Sequence, residues 1–332
     1  MIRFQLSVED LADTRFAITP IQETVLSLWA LRDPGRYPLH LPWHRSIQRG
    51  LDILNTELLL SLVGPTFALP DFLTPRPTVF APDINDELAT VRGTPLDVVR
   101  RDLIATYAPS GLPDTLAAAT ESRDAPVARL LADICDELQR YWNVAIAPTW
   151  PQIRLLLEAD MTYRARRLAT GGARLLFADL HPNVRWRDGT LHIDKMIGKH
   201  TVAVCGRGLM LLPSLFAYKP VPPMSPEEPP WLAYPCRGAA TLWAPAPAAT
   251  TTALASLLGA PRTGLLNLLE EPLATVEIAR RLKVTPSAVS QHLRVLHATG
   301  LVTRARAGRN VLYHRSTLGD QLINPPTDQI SS

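Results

Sequence analysis

Residues 275–315, TVEIARRLKVTPSAVSQHLRVLHATGLVTRARAGRNVLYHR, limit the fold of this chain more than any other stretch. They read as a helix, a tight turn, a second helix and a two-stranded hairpin. Thr275 is a good N-cap, and Glu277 puts negative charge in the positive first turn of the first helix. The second helix opens at Thr285, with Pro286 at the first helical position, where a missing N–H costs nothing. Only Lys283 and Val284 separate Leu282 from that cap, so the two helices must turn sharply on each other. A helix-turn-helix of this kind places its second helix in the major groove of DNA.

Stepping residues round the second helix at about 100° each divides it into two faces. Val289, Leu293 and Leu296 form one, expected to pack on Ile278, Ala279 and Leu282. Ser287, Ser290, Gln291, Arg294 and Ala298 form the other, which is short, polar and basic. Such side chains reach base edges and phosphates, and a small Ala lets the helix approach the groove floor. After Gly300, a helix stop, 301–306 and 309–315 alternate as strands around an Ala307-Gly308 turn. This hairpin is a wing, with Arg304, Arg306 and Arg309 around its tip, suited to phosphates or a narrow minor groove.

Charge points the same way. From Ile278 to Gly319 there is no acidic residue, whereas Arg280, Arg281, Lys283, Arg294, Arg304, Arg306, Arg309 and Arg315 all occur. A solvated surface normally mixes both signs, so this one-sign run reads as an electrostatic footprint for a polyanion.

Ser287, His292, Leu293, Leu296, Gly300, Leu301, Val302, Gly308, Arg309 and Tyr313 together resemble the winged helix of ArsR-type bacterial transcription regulators. The resemblance spans about residues 252–320. It implies a dimeric DNA-binding regulator, most often a repressor released by a ligand. The expected DNA contacts are Thr285, Ser287, Ser290, Gln291, His292 and Arg294 on the recognition helix, and Arg304, Arg306 and Arg309 on the wing. His292 either donates to a phosphate or packs locally, and Tyr313 packs the wing.

Three departures qualify the family pattern. Metal-sensing members carry a Cys-x-Cys before the recognition helix, where this chain reads LATVEIARRL. A long final helix for dimerisation is replaced by a polar tail soon after Leu318. Lys283 stands where the turn often holds Gly, so a slightly different turn is expected. DNA binding carries over; metal sensing does not.

At 332 residues the chain has room for two domains. The net charge of +3 hides an asymmetry: residues 252–332 hold nine Lys/Arg against five Asp/Glu, while the remainder holds 25 against 26. Only the C-terminal module is built to meet a polyanion. Cys135, Cys205 and Cys236 are scattered and odd in number, which fits a reducing cytosol. No signal peptide or membrane span is readable, so the expected location is cytoplasmic with no membrane partner.

Helical patterns occur at 20–31, 42–54, 84–92, 95–107, 113–120, 126–144 and 149–170, the last with Arg164, Arg166 and Arg167 near its negative end. A strand at 4–6, paired with 16–18, opens the chain. Further strands are expected at 184–186, 191–193, 200–204 and 209–212, with additional ones at 231–234 and 241–243. The region from Pro220 to Pro247 contains nine of the 31 prolines and reads as extended or linking. The expected fold is α+β and mainly helical. A dimerisation or effector domain with a small antiparallel β section spans 1–218, followed by a Pro/Ala-rich linker at 219–251, a winged helix-turn-helix at 252–320 and a polar tail at 321–332.

Other constellations are weaker. His40 and His44 lie four apart with no further ligand nearby, which favours a capping or surface role over a metal. Asp179 and His181 form either an acid–base pair or a turn. No phosphate loop, dinucleotide fingerprint or nucleophile elbow appears, so no enzyme and no cofactor are expected. Trp142, Trp150, Trp186, Trp231 and Trp243 either pack a core or line an apolar ligand pocket. The leading reading is a sequence-specific dimeric repressor on double-stranded DNA carrying an inverted repeat, controlled by an organic effector. An architectural or protein-interaction protein with a non-specific winged helix is the alternative, and an enzyme with an accessory DNA module is a third.

Overall fold

The N-terminal strand takes its partners from far along the chain. In the computed structural model, which describes residues 1–196, 198–225, 228–243, 251–307 and 310–323, β1 (Ile2–Gln5) runs antiparallel to residues 190–193 and parallel to residues 200–203. The expected pairing of 4–6 with 16–18 does not form. After α1 (Val8–Ala12), β2 (Arg15–Phe16) instead joins Met210 and Leu211. Short strands have little register of their own, so burial of Ile2 and Phe4 against distant partners decides where they go.

α2 (Pro20–Arg32) is buried from Pro20 to Leu31, with no solvent face. A helix enclosed on all sides is the centre of a core. Some of its polar groups are answered internally: Glu23 Oε2 accepts from the Leu215 N–H at 2.9 Å, and the Ser27 and Tyr141 hydroxyls bond at 2.8 Å. Around it pack α3 (Leu41–Leu51), α4 (Thr56–Ser61), α5 (Ile84–Arg92), α6 (Leu96–Tyr107) and α7 (Asp124–Tyr141). Periodicity located α3, α5, α6 and α7, while residues 114–120 wind as a 3₁₀ helix. α1 and α4 are too short to carry a period.

α8 (Trp150–Phe177) continues past the expected end at Thr170, broken at Gly171-Gly172, where Gly172 takes φ 64° and ψ −162°. Only glycine adopts that backbone readily. Arg164 is therefore mid-helix rather than terminal, and it is fully buried. Its Nε lies 3.6 Å from the Asp160 carboxylate, and its guanidinium also pairs with Asp179. Asp179 is thus engaged by Arg164 and by the Tyr163 hydroxyl at 2.7 Å, while His181 accepts from the Asn183 N–H at 3.0 Å. No acid–base pair forms between Asp179 and His181.

β3 (Val184–Arg187) and β4 (Thr190–Ile193), both expected as strands, pair as a hairpin, with Asp188 and Gly189 both at positive φ. With β5 (His200–Ala203) they make a sheet of order β3-β4-β1-β5. β6 (Met210–Ser214) and β7 (Trp231–Pro235) complete a second sheet, β2-β6-β7, parallel throughout. The β section is therefore partly parallel rather than antiparallel. Hairpin turns fix direction only between neighbours, and β1 and β2 arrive from the N-terminus with no such turn. β7 forms the strand expected at 231–234, within the stretch read as a linker, and is buried from Trp231 to Tyr234. Residues 241–243, read as a strand, fall in and just after α9 (Ala239–Leu242). Trp142 packs edge-on against Trp150, and Trp186 packs on Phe177. Trp243 Nε1 donates to Nδ1 of buried His40 at 3.2 Å.

Residues 1–244 form one compact unit and 245–332 another. The second contains α10 (Thr251–Leu258), α11 (Ala260–Leu268), β8 (Leu273–Ala274), α12 (Thr275–Leu282), α13 (Pro286–Ala298), β9 (Val302–Ala307), β10 (Asn310–Arg315) and α14 (Thr317–Ile323). Its sheet order is β8-β10-β9. Leu265, Leu266, Leu269, Ile278, Val289, Leu293 and Leu296 make a separate core. Leu322 and Ile323, within the expected tail, pack against it. The architecture is α+β and mainly helical. No helix among the described residues is long and apolar enough to cross a membrane.

Candidate nucleic-acid interface

α12 and α13 form the helix-turn-helix. Thr275 is the first residue of α12 rather than its cap. The cap is Ala274, whose extended backbone is fixed by pairing with Leu312 in β10. Lys283 ends the helix in the left-handed region at φ 54°, and the next N–H, of Val284, bonds back to the Ala279 carbonyl at 3.1 Å. The turn thus keeps the left-handed geometry usually given to Gly, with Lys in its place, and is not the altered turn expected. Leu282 is half-exposed at that turn, so Ile278 and Ala279 carry the packing alone.

α13 opens where the sequence indicated. Thr285 is its N-cap, accepting from the Ala288 N–H at 3.3 Å, and Pro286 follows. The Thr285 hydroxyl is therefore committed to the helix end, although the residue is exposed. Val289, Leu293 and Leu296 are buried; Ser287, Ser290, Gln291, Arg294 and Ala298 are all exposed, and His292 is half-buried. Gly300, at φ 72°, ends the segment, and the Leu301 N–H returns to the Leu296 carbonyl at 2.9 Å.

The wing is an antiparallel hairpin, with Arg304 opposite Tyr313 and Arg306 opposite Val311. Arg304 and Arg306 are two apart on one strand, so they lie on the same face, and both are exposed. Tyr313 is half-buried against the core. Arg309, the third expected wing contact, lies outside the described residues, as does Gly308.

The cationic footprint is smaller than the sequence suggests. Arg315 is buried, with Nε 2.9 Å from Asp320 and Nη2 3.7 Å from Glu270. Arg280 and Arg281 both bond to Glu277, at 2.7–2.9 Å. The three acids flank the acid-free run in sequence and fold back onto it. Among the described residues, Lys283, Arg294, Arg304 and Arg306 make no ion pair. Sequence reading placed Glu277 only in the positive first turn of α12. Its partners sit at i+3 and i+4, spacings at which helical side chains meet, and that signal was available.

Hydrogen bonds from Arg280 and Arg281 hold the Glu277 carboxyl down to about 2. A depressed carboxylate stabilises the fold above its ordinary pKa, and this contribution is lost as pH falls from about 4.5 toward 2. Glu277→Gln should release two arginines on the helix that crosses the phosphate backbone. The expected result is tighter binding to random DNA and a log–log salt slope steeper by about one. Unchanged affinity and slope in fluorescence titrations would mean these arginines do not face phosphate.

A family model described as bacterial regulatory protein, arsR family, matches residues 263–304, from within α11 into β9, and leaves the rest of the chain unassigned. No curated protein and no solved structure matches the chain. Residues 263–304 thus match the helix-turn-helix of the arsR family of bacterial regulatory proteins, which supports a DNA-binding transcription regulator.

Proposed function

We propose that the chain is a sequence-specific, dimeric repressor whose residues 1–244 carry the dimer contacts and take an organic effector. It acts by binding, without making or breaking bonds. Unpaired arginines neutralise phosphates, and Ser287, Ser290, Gln291 and Arg294 read major-groove edges. An effector then acts by preferring a dimer geometry whose recognition helices no longer fit successive grooves. The observation that carries this reading is the exposed polar and basic face of α13 beside a wing with unpaired Arg304 and Arg306. Purified protein mixed with random genomic fragments should enrich one inverted repeat. Enrichment of no sequence would favour the architectural alternative.

Helix and wing should fail differently. Gln291→Ala or Arg294→Ala should cost roughly 1–3 kcal/mol on the enriched site and much less on random DNA. Arg304→Ala should weaken both alike and flatten the salt slope by about one. Equal losses on both DNAs for all three variants would move the reading face elsewhere.

A further inference from the structure

A cavity of about 230 Å³ lies wholly inside the first unit, walled by α2, β7 and the loops at 66–74 and 219–224. Most of its wall is apolar and aromatic: Leu26, Trp29, Phe67, Leu69, Met224 and Trp231. A dry cavity of about 150 Å³ holds one benzene ring, so this one has room for two fused rings. Gln22, Leu26 and Trp29 are spaced to share one face of α2.

Polar groups in the wall lack partners. Among the described residues, Gln22 Nε2, Trp29 Nε1 and His200 Nε2 are buried without a hydrogen bond. Gln22 and Trp29 are 3% and 2% exposed. An unpaired buried N–H is destabilising, and a ligand oxygen accepting from it would remove that cost. Burial, reinforced by the nearby N-terminal ammonium, lowers the pKa of His200 and so favours its neutral ring. Gln22 Nε2 and Trp29 Nε1 can only donate, which selects an acceptor, while His200 Nε2 donates or accepts according to its tautomer.

The wall is also preformed. The segment Lys219-Pro220-Val221-Pro222-Pro223-Met224 carries three prolines, which limit its freedom. Val221 and Ala233 exchange both backbone bonds, at 2.8 and 3.0 Å. The Asp71 carboxylate accepts from the Met224 and Ser225 N–H groups at 2.9–3.0 Å. Opposite, Phe67 is held at φ 60°, unusual for a bulky residue, with the Arg36 guanidinium 4.7 Å from its ring. A pocket fixed at both rims gives up little entropy on binding.

We propose that this cavity is a ligand site for a flat, two-ring organic molecule bearing a carbonyl oxygen, the ring seated between Trp29 and Trp231 and the oxygen accepting from Gln22 Nε2. Its role as effector rests on the regulator reading; the site itself does not.

The test uses the full chain with coumarin, a two-ring carbonyl compound, and naphthalene, its counterpart without oxygen. Calorimetry and tryptophan quenching should give saturable coumarin binding with Kd on the order of 10 μM and naphthalene at least about fivefold weaker. Gln22→Leu should erase that preference by weakening coumarin alone. Ala105→Phe at the exposed rim and Ala68→Phe at the wall should each reduce both affinities tenfold or more. Absence of saturable binding by either compound, or binding untouched by both filling variants, would overturn the site. Coumarin binding in a protein that selects no DNA sequence would sink the regulator reading and leave the site standing; sequence selection without coumarin binding does the reverse.

Discussion

Residues 245–332 expressed alone should fold, yet bind the enriched operator about 10²–10⁴-fold more weakly than the full chain. The unit has its own core of leucines, Ile278 and Val289, and the polar group at each end of α13 is answered within it. What it lacks, on the reading proposed here, is the dimer contact carried by residues 1–244. Two half-sites held together convert the second contact into an intramolecular event, and that gain disappears with the linkage. Sedimentation and gel-shift titration of the fragment beside the full chain would measure it. A fragment that dimerises tightly and matches full-length affinity would transfer the dimer interface to the winged helix.

Arg164→Met should destabilise the first unit by about 3–5 kcal/mol. The Asp160 carboxylate is fully buried, and with Arg164 removed its remaining donors are the Tyr234 hydroxyl at 2.9 Å and the Arg237 N–H at 3.1 Å. Removing one partner leaves a buried charge uncompensated, whereas removing both does not. The double variant Arg164→Met with Asp160→Asn should therefore recover much of the loss. All seven tryptophans lie in residues 1–244, so their fluorescence in urea follows this unit alone. A cost under about 1 kcal/mol for Arg164→Met would show that water reaches the site and screens the pair.

The helix-turn-helix was legible because its signals are local. A Thr-Pro start, an i, i+3, i+4 apolar stripe and a Gly stop act within one turn of the residues that carry them. They located α13, its buried Val289, Leu293 and Leu296, and its exposed Ser287, Ser290, Gln291 and Arg294 without any knowledge of the remaining chain. The same holds for α5 and the β3–β4 hairpin, whose Asp-Gly turn brings adjacent strands together.

Tertiary structure alone decided the rest. β1 and β2 are short and join strands far along the chain, and no local term specifies a direction or register over that distance. α2 is buried on every side, so it has no polar face whose period could identify what it contacts; Gln22 and Trp29 gain their meaning only from the wall they share. Charge behaves likewise. Sequence counts cations, but folding brings Asp320 and Glu270 to Arg315, so the field presented to DNA comes from those left unpaired. Local propensity set the reading helix, whereas long-range burial and pairing set the cavity, the sheets and the charges that remain free.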